Sequence, residues 1–340
     1  MFIIIGRSVA TIVYIMLYYI MLLPSCVMSW GREGHYITAR IAESFLSNNG
    51  RHLVDSILGP DALSLGQPFY EAAAWADQVQ GHPSFAWSPP LHFINTPYRT
   101  CDGFNLDRDC SGPCLISGIA NYTERLGDES LPPIDREHAL KFLIHFLADV
   151  NQPLHVAFGL DKGGNKIIVT PPWDHATDKA GKAIKAPRAK PLHVLWDSHI
   201  IQFTYVTSKL TWSQLADTLI ADILKEGSWK TSNFDPVHNA ISRADKSSSL
   251  ACNIAYKEGG RWIADSTRLS IAYIQDSSVV TLHQLKSSGI DIASALNAIG
   301  DQIAGQVDSD SDMDTGSTYD EYEDWENAFG SPDNEDELYI

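Results

Sequence analysis

The segment His145-Phe-Leu-Ala-Asp149 sets an imidazole and a carboxylate four residues apart. On a helix such a pair shares one face, one turn apart, so both side chains can address one metal ion. The same pair recurs as His193-Val-Leu-Trp-Asp197. A single pair arises easily by chance and is satisfied by a surface hydrogen bond. Two pairs, each set in an otherwise apolar run, are harder to dismiss, because burying an imidazole with a carboxylate is costly unless a partner compensates. A metal ion is such a partner. His155 follows just beyond Pro153, and two lone polar groups precede: Asp77 in Ala-Ala-Ala-Trp-Ala-Asp and His92 in Pro-Pro-Leu-His-Phe-Ile-Asn. Taken singly, either of these reads as a satisfied core residue. A donor set of His and Asp without Cys suits a borderline divalent cation, zinc first.

The last candidate is His35, in Trp30-Gly-Arg-Glu-Gly-His. Its significance depends on the N-terminus. Arg7 is the only charge before Arg32, an apolar stretch runs from Thr11 to Leu23, and Pro24 breaks it. Val27 and Ser29 are small residues at −3 and −1, so residues 1–29 read as a secretory signal cleaved before Trp30. The rival reading, a membrane anchor, requires a longer apolar run of about 20 residues. Cleavage would free the Trp30 amine, which with its own carbonyl oxygen can form a five-membered metal chelate.

The elements that must carry these residues are mostly helical. Tyr36–Leu46 places Ile37, Ile41 and Phe45 on one face, and Glu71–Val79 is Ala-rich. Asp135 is an expected N-cap for a helix through Phe142, Phe146 and Val150 that Pro153 ends. Another helix is expected from near Leu192 past Ile201, and others over Trp212–Lys225, Trp262–Ile274 and Leu282–Ile299. Lys166–Thr170 is the best strand signal. Residues 171–191 form a basic, loop-like stretch, readable as a solvated insertion or as a phosphate-facing loop between two ligand candidates.

The formal charge of −17 is unpromising for a phosphate binder. It is unevenly spread: beyond Val307 stand 13 acidic residues and no Lys or Arg, and the remaining 29 acids against 25 bases leave residues 1–307 at −4. The body is near neutral, and residues 307–340 read as an acidic tail without regular structure. Cys26 leaves with the signal. Cys101, Cys110, Cys114 and Cys252 suggest two disulfides, with three possible connectivities. Asn121-Tyr-Thr is a glycosylation sequon.

Together these residues resemble the zinc-dependent single-strand-specific nucleases, the S-one/P-one type of fungi with the plant bifunctional nucleases as relatives. The resemblance runs from Trp30 to about residue 300. It is carried by Trp30 with Gly34-His35, Trp75-Ala-Asp77, Leu91-His92-Phe-Ile-Asn-Thr-Pro97, His145-Phe-Leu-Ala-Asp149, Gln152-Pro-Leu-His155, Lys162-Gly-Gly-Asn165, and Leu192-His193 to Trp196-Asp197. It implies a mainly α fold, a single compact helical domain over residues 30–306 with few short strands and a cleft for three zinc ions, as in the related zinc phospholipases C.

By that resemblance one zinc would take Asp77, His92, His145 and Asp149. A second would take His155, His193 and Asp197. The third would take the Trp30 amine and carbonyl, His35 and Asp149, making Asp149 a bridge. The pairings Cys101–Cys252 and Cys110–Cys114 are implied as well. The implied activity is that of a secreted, monomeric endonuclease with no stable membrane anchor. It would hydrolyse single-stranded DNA and RNA to 5′-phosphate products, and 3′-nucleotides in addition, with Asp149 and Asp77 as the carboxylates at the reaction centre. Phe93 matches the base-stacking position and Asn95 the one that reads the base edge, where relatives often carry Asp. Asn165 would contact phosphate or sugar. Gln80 stands three residues after Asp77, where the family often has a basic residue near the scissile phosphate. Two other readings are a phospholipase C-type phosphodiesterase and a non-catalytic zinc-binding secreted protein.

Overall fold

The computed structural model describes residues 30–59, 69–172, 189–227, 229 and 234–314. Its central element is a helix that is apolar almost all round. Within Pro133–Asp149, residues Ala139, Leu140 and Phe142 to Asp149 are all buried, as expected of a helix enclosed by others. Three helices precede it: α1 (Arg32–Ser44), α2 (Asn48–Leu58) and α3 (Phe69–Val79). The short α4 (Leu106–Asp109) and then α5 (Leu115–Gly127) lead into it, so it is α6. Pro133 takes the first turn of α6, where a missing N–H costs nothing, with Pro132 at the N-cap. Asp135 therefore lies inside the first turn, where its charge still favours the helix dipole, and does not cap it.

The apolar face expected on α1 is observed, with Ile37 and Ile41 fully buried, and Ala72, Ala73, Ala74 and Ala76 of α3 pack inward. The remaining helices are α7 (Leu192–Val194), α8 (Ile200–Thr207), α9 (Trp212–Glu226), α10 (Pro236–Leu250) and α11 (Ile271–Asp314). α11 packs across α1, α2 and α6.

Two expectations are corrected here. Residues 262–270 are not helical. Gly259 and Gly260, both at positive φ, turn a hairpin of β5 (Lys257–Glu258) and β6 (Arg261–Trp262), and β7 (Thr267–Arg268) joins another sheet before α11 begins. α11 also runs through Asp314, so its backbone enters the stretch read as an irregular tail. The signal segment 1–29 and residues 315–340 lie outside the described residues, as do residues 173–188 of the basic stretch.

The strands are short. β1 (Ile94–Thr96) pairs in parallel with β2 (Val156–Phe158), Ile94 opposite Val156 and Thr96 opposite Phe158. β3 (Ile168–Thr170) lies between β4 (Lys190–Pro191) and β7. Disulfides join Cys101 to Cys252 and Cys110 to Cys114. The first ties the loop after β1 to the chain beyond α10. Asn121 is exposed on α5.

The apolar interior forms two clusters. The larger includes Ala148, Val150 and Val156, and the smaller Leu154, Leu195 and Trp196. Asp149 is flanked by the first, Asp197 touches the second, and His155 sits between neighbours from each. The candidate ligands therefore lie along the seam where the two cores meet.

Candidate metal centre

Helix α6 delivers His145 and Asp149 on one face, as their spacing requires: His145 Nε2 is 3.2 Å from Asp149 Oδ2. The C-terminal turn of α3 brings Asp77, whose Oδ1 lies 3.4 Å from His145 Nε2. His92 ends a 3-10 turn (Pro89–His92) just before β1. Its Nδ1 is 3.2 Å from Asp149 Oδ2, 3.1 Å from His145 Nε2 and 3.7 Å from Asp77 Oδ1. Asp77, His92, His145 and Asp149 thus converge on one point.

The second convergence lies at the start of β2 and on α7. His155 ends the turn Pro153–His155, and its Nε2 is 3.7 Å from Asp197 Oδ1. His193 Nε2 is 3.4 Å from Asp197 Oδ2. The helix carrying this pair is not uniform: it widens to π geometry over Leu195–His199, a distortion common at functional sites, and the two side chains still face each other.

His35 reaches Asp149 from the opposite side, with Nε2 3.5 Å from Oδ1. Its ring stacks on that of His145 at 3.9 Å, and it groups with Asp77 and His145 as closely as with Asp149. Trp30 is fully buried and its indole donates to Ala148 O at 3.0 Å. The Gly31 amide donates to Asp197 O at 2.9 Å. The first residues of the described chain are therefore anchored between the ends of the two helices that carry the candidate ligands.

Three histidines are oriented by backbone. His145 Nδ1 lies 2.7 Å from Ala73 O, His155 Nδ1 2.7 Å from His92 O, and His193 Nδ1 2.7 Å from Gly163 O. A carbonyl only accepts, so each Nδ1 carries the hydrogen and each Nε2 faces inward, the usual arrangement around a ligated imidazole. Gly163 has φ +61°, and a Cβ there would come within 2.4 Å of Leu154 O, so this turn requires glycine. Asp161 holds the same loop, accepting from Gly164 N at 2.9 Å and Tyr256 Oη at 2.8 Å.

Electrostatics without metal show the strain of the arrangement. Burial opposes protonation of His145 and His155, yet the carboxylates of Asp149 and Asp77 beside the first push it up to about 10, and Asp149 and Asp197 beside the second push it up to about 9. Asp149 is held well below the ordinary carboxylate range, because His145 and His155 outweigh its burial. Burial, with His145 close by, lowers His35 to about 3. Burial also lowers His92 and raises Asp197.

The donor chemistry fits a metal. Buried Asp149 Oδ1, Asp197 Oδ2 and His155 Nε2 have no hydrogen-bond partner, and unpaired buried acceptors of this kind are rare unless an ion or water binds there. Three groups of His and Asp could each hold an ion: His35 with Asp77 and His145; His92 with His145 and Asp149; His155 with His193 and Asp197. All nitrogen and oxygen, they suit zinc.

The residues read as substrate-binding are placed less uniformly. Phe93 is half-buried beside His92, and Asn95 is exposed on β1. Asn165 is half-buried and donates to Lys162 O at 2.9 Å within its own loop. Gln80 turns inward: its amide nitrogen donates to Asp77 Oδ1 at 2.8 Å and lies 3.3 Å from His92 Nε2. Sequence reasoning missed Gln152 as a supporting group. Fully buried, it donates from Nε2 to Asp197 Oδ1 at 2.5 Å and accepts from the Leu154 amide. The available signal was a polar residue directly before a helix-stopping proline and three before a ligand.

A family model described as S1/P1 Nuclease matches residues 30–301. Among curated relatives, the chain is 31% identical to Nuclease P1 of Penicillium citrinum over 81% of its length and 100% of that protein. It is 30% identical to Nuclease S1 of Aspergillus oryzae, covering 82% of the chain and 95% of the relative. It is also 30% identical to Endonuclease 5 of Arabidopsis thaliana, covering 80% and 90%.

Proposed function

Because this chain belongs to the S1/P1 nuclease family, a zinc-dependent group of enzymes that hydrolyse nucleic acids, we propose that it cleaves single-stranded DNA and RNA between phosphorus and the 3′ oxygen. The products carry 5′-phosphates, and 3′-nucleotides are substrates too. The observation that carries this reading is the clustering of three His/Asp groups along the seam of the two cores, with Asp149 between His35, His92 and His145.

In this reading Asp77, His92, His145 and Asp149 hold one zinc, and His155, His193 and Asp197 another. His35 and Asp149, with the Trp30 amine and carbonyl, hold the third. When bound, the ions supply Lewis acidity to the phosphate oxygens and lower the pKa of water toward about 7. The protein's own part is orientation. Ala73 O, His92 O and Gly163 O fix three imidazoles, and Gln152 fixes Asp197. Asp149 presents both oxygens to the cleft and orients the attacking water, and Asp77 shares the first ion. Gln80, held on Asp77 and His92, offers its amide rather than a cation to the phosphate. Phe93 stacks an unpaired base, which a paired strand cannot offer, Asn95 reads the base edge and Asn165 contacts the sugar-phosphate.

The family match beginning at Trp30 supports cleavage before that residue, and hence secretion of a monomeric enzyme made up of residues 30–306 with an acidic extension. The disulfides and the exposed Asn121 of the sequon agree with that compartment. Among the described residues no helix is long and apolar enough to cross a membrane. The test is release of acid-soluble nucleotides from single-stranded DNA, abolished by chelator and restored by zinc. Full zinc loading without release, or release of a phosphorylated headgroup from phosphatidylcholine vesicles instead, would refute this reading.

A further inference from the structure

The two strands that begin at the metal centre lead away from it to an exposed cluster of cations and aromatic rings. His155 stands immediately before β2 and His92 two residues before β1, and the two strands run in parallel. Beyond their far ends, Tyr98 is 40% exposed and packs edge-on to Phe158, centroids 5.6 Å apart. The exposed Arg99 follows at φ +56°. Its guanidinium lies 5.0 Å from the Tyr98 ring and 4.8 Å from the half-buried Trp262 ring. Lys257, the cross-strand partner of Trp262, places its ammonium 4.9 Å from the same ring.

Neither cation forms an ion pair with a described residue, although the Arg99 charge reaches the buried Asp161 carboxylate. The nearest acid in the hairpin, Glu258, is engaged by the Ser270 amide at 2.7 Å. The patch is also rigid, because Cys101, two residues beyond Arg99, is bonded to Cys252. A non-glycine residue at positive φ is uncommon, and here it holds Arg99 against two rings.

We propose that Tyr98, Arg99, Lys257 and Trp262 form an accessory subsite for the single-stranded substrate, binding phosphates and an unstacked base away from the metal centre. The proposal rests on the nuclease reading above. Two cations outside any ion pair match a phosphate backbone, and aromatic rings flanked by cations are the platform on which unpaired bases stack without regard to sequence. Continuity supplies the path. From Phe93 to Tyr98 the chain, strand only over Ile94–Thr96, can span at most about 16 Å at roughly 3.3 Å per residue, so an oligonucleotide seated on Phe93 can reach the patch and a mononucleotide cannot.

The test compares the full secreted chain with Arg99→Gln/Lys257→Gln, Trp262→Leu and the conservative Arg99→Lys. Binding of a fluorescein-labelled oligothymidylate is followed by anisotropy across a salt series, and hydrolysis of thymidine 3′-monophosphate is measured alongside. The double variant is expected to weaken oligonucleotide binding about tenfold and to flatten the slope of log K against log salt by about 1.4, two phosphate contacts at roughly 0.7 each. Trp262→Leu is expected to weaken binding about tenfold with the slope unchanged. Arg99→Lys should restore most of the affinity, and mononucleotide hydrolysis should stay within about twofold throughout.

Unchanged oligonucleotide binding in the double variant overturns the proposal, and so does an equal loss on oligonucleotide and mononucleotide. Failure of the nuclease reading is separately visible, as an unaltered chain that binds zinc and oligonucleotide but cleaves neither substrate. Anisotropy still decides on the patch in that case.

Discussion

Replacing Gln152 by Met removes a side chain that touches no substrate and, in this account, no metal. Gln152 is fully buried, and its amide supports one oxygen of Asp197 at 2.5 Å while the other oxygen has no hydrogen-bond partner. Met is of similar length and apolar, so the cavity stays filled and the loss is confined to hydrogen bonding. A hydrogen bond to a charged group is worth about 1.5–3 kcal/mol, and tenfold in affinity corresponds to about 1.4 kcal/mol. If that energy orients Asp197 for the metal, zinc affinity at the His155–His193–Asp197 group should fall about 10- to 100-fold, the range usual for supporting residues of metal sites. The Asp77–His92–His145–Asp149 group should keep its affinity, because the Gln152 side chain makes no hydrogen bond to it and the backbone bond from Gln152 N to Asp149 O, at 2.9 Å, survives the substitution. Competitive zinc titration against a chromogenic chelator would resolve one weakened class of site beside an unchanged one. Three unchanged affinities would refute the reasoning. So would equal loss at all three, which would make Gln152 a folding residue; the metal-free melting temperature distinguishes that case.

Asp149→Asn should be more damaging, since one carboxylate oxygen faces His92 and His145 and the other His35. More than one zinc should be lost per molecule, with at least about a hundredfold loss of nuclease activity, as read by metal analysis and nucleotide release. In the metal-free protein His145 and His155 are raised to about 10 and about 9, above the unperturbed 6.5. The metal-free fold therefore draws stability from them that is complete below pH 6.5 and lost as pH rises through about 9 and 10. Zinc must displace those protons and the one on the mature Trp30 amine, so loading at pH 7 should release between about two and three protons per molecule, and affinity should rise from pH 7 to 9; a pH-indicator titration reads both. Phe93→Ala should raise KM for single-stranded DNA about tenfold with kcat little changed, seen in steady-state kinetics.

Much of the candidate centre was legible because its candidate ligands announce themselves locally. His145 and Asp149, and His193 and Asp197, needed only helical spacing, and the helices around them followed from apolar period. His35, Asp77 and His92 became a set only through the resemblance, because each is a lone polar group and their meeting is a matter of tertiary packing. Gln152 and the Gly163 carbonyl left weaker traces: a buried amide and a backbone oxygen have no spacing rule, and their partners lie 45 and 30 residues away. The misread segment at 262–270 had helical apolar spacing, but the Gly259-Gly260 turn and pairing of Thr267 with Val169 overrode it. The start of α6 was displaced for a local reason, two prolines fixing the first turn ahead of Asp135.

The central claim is that the three His/Asp groups act together as one zinc-dependent centre for cutting single strands. The most direct test is to strip the secreted protein of metal and add zinc in equivalents, following bound metal and single-stranded DNA cleavage in the same sample. Uptake of three zinc ions is expected, with cleavage reaching its plateau at the third. Saturation at one or two ions, or three bound ions with no cleavage, would contradict it.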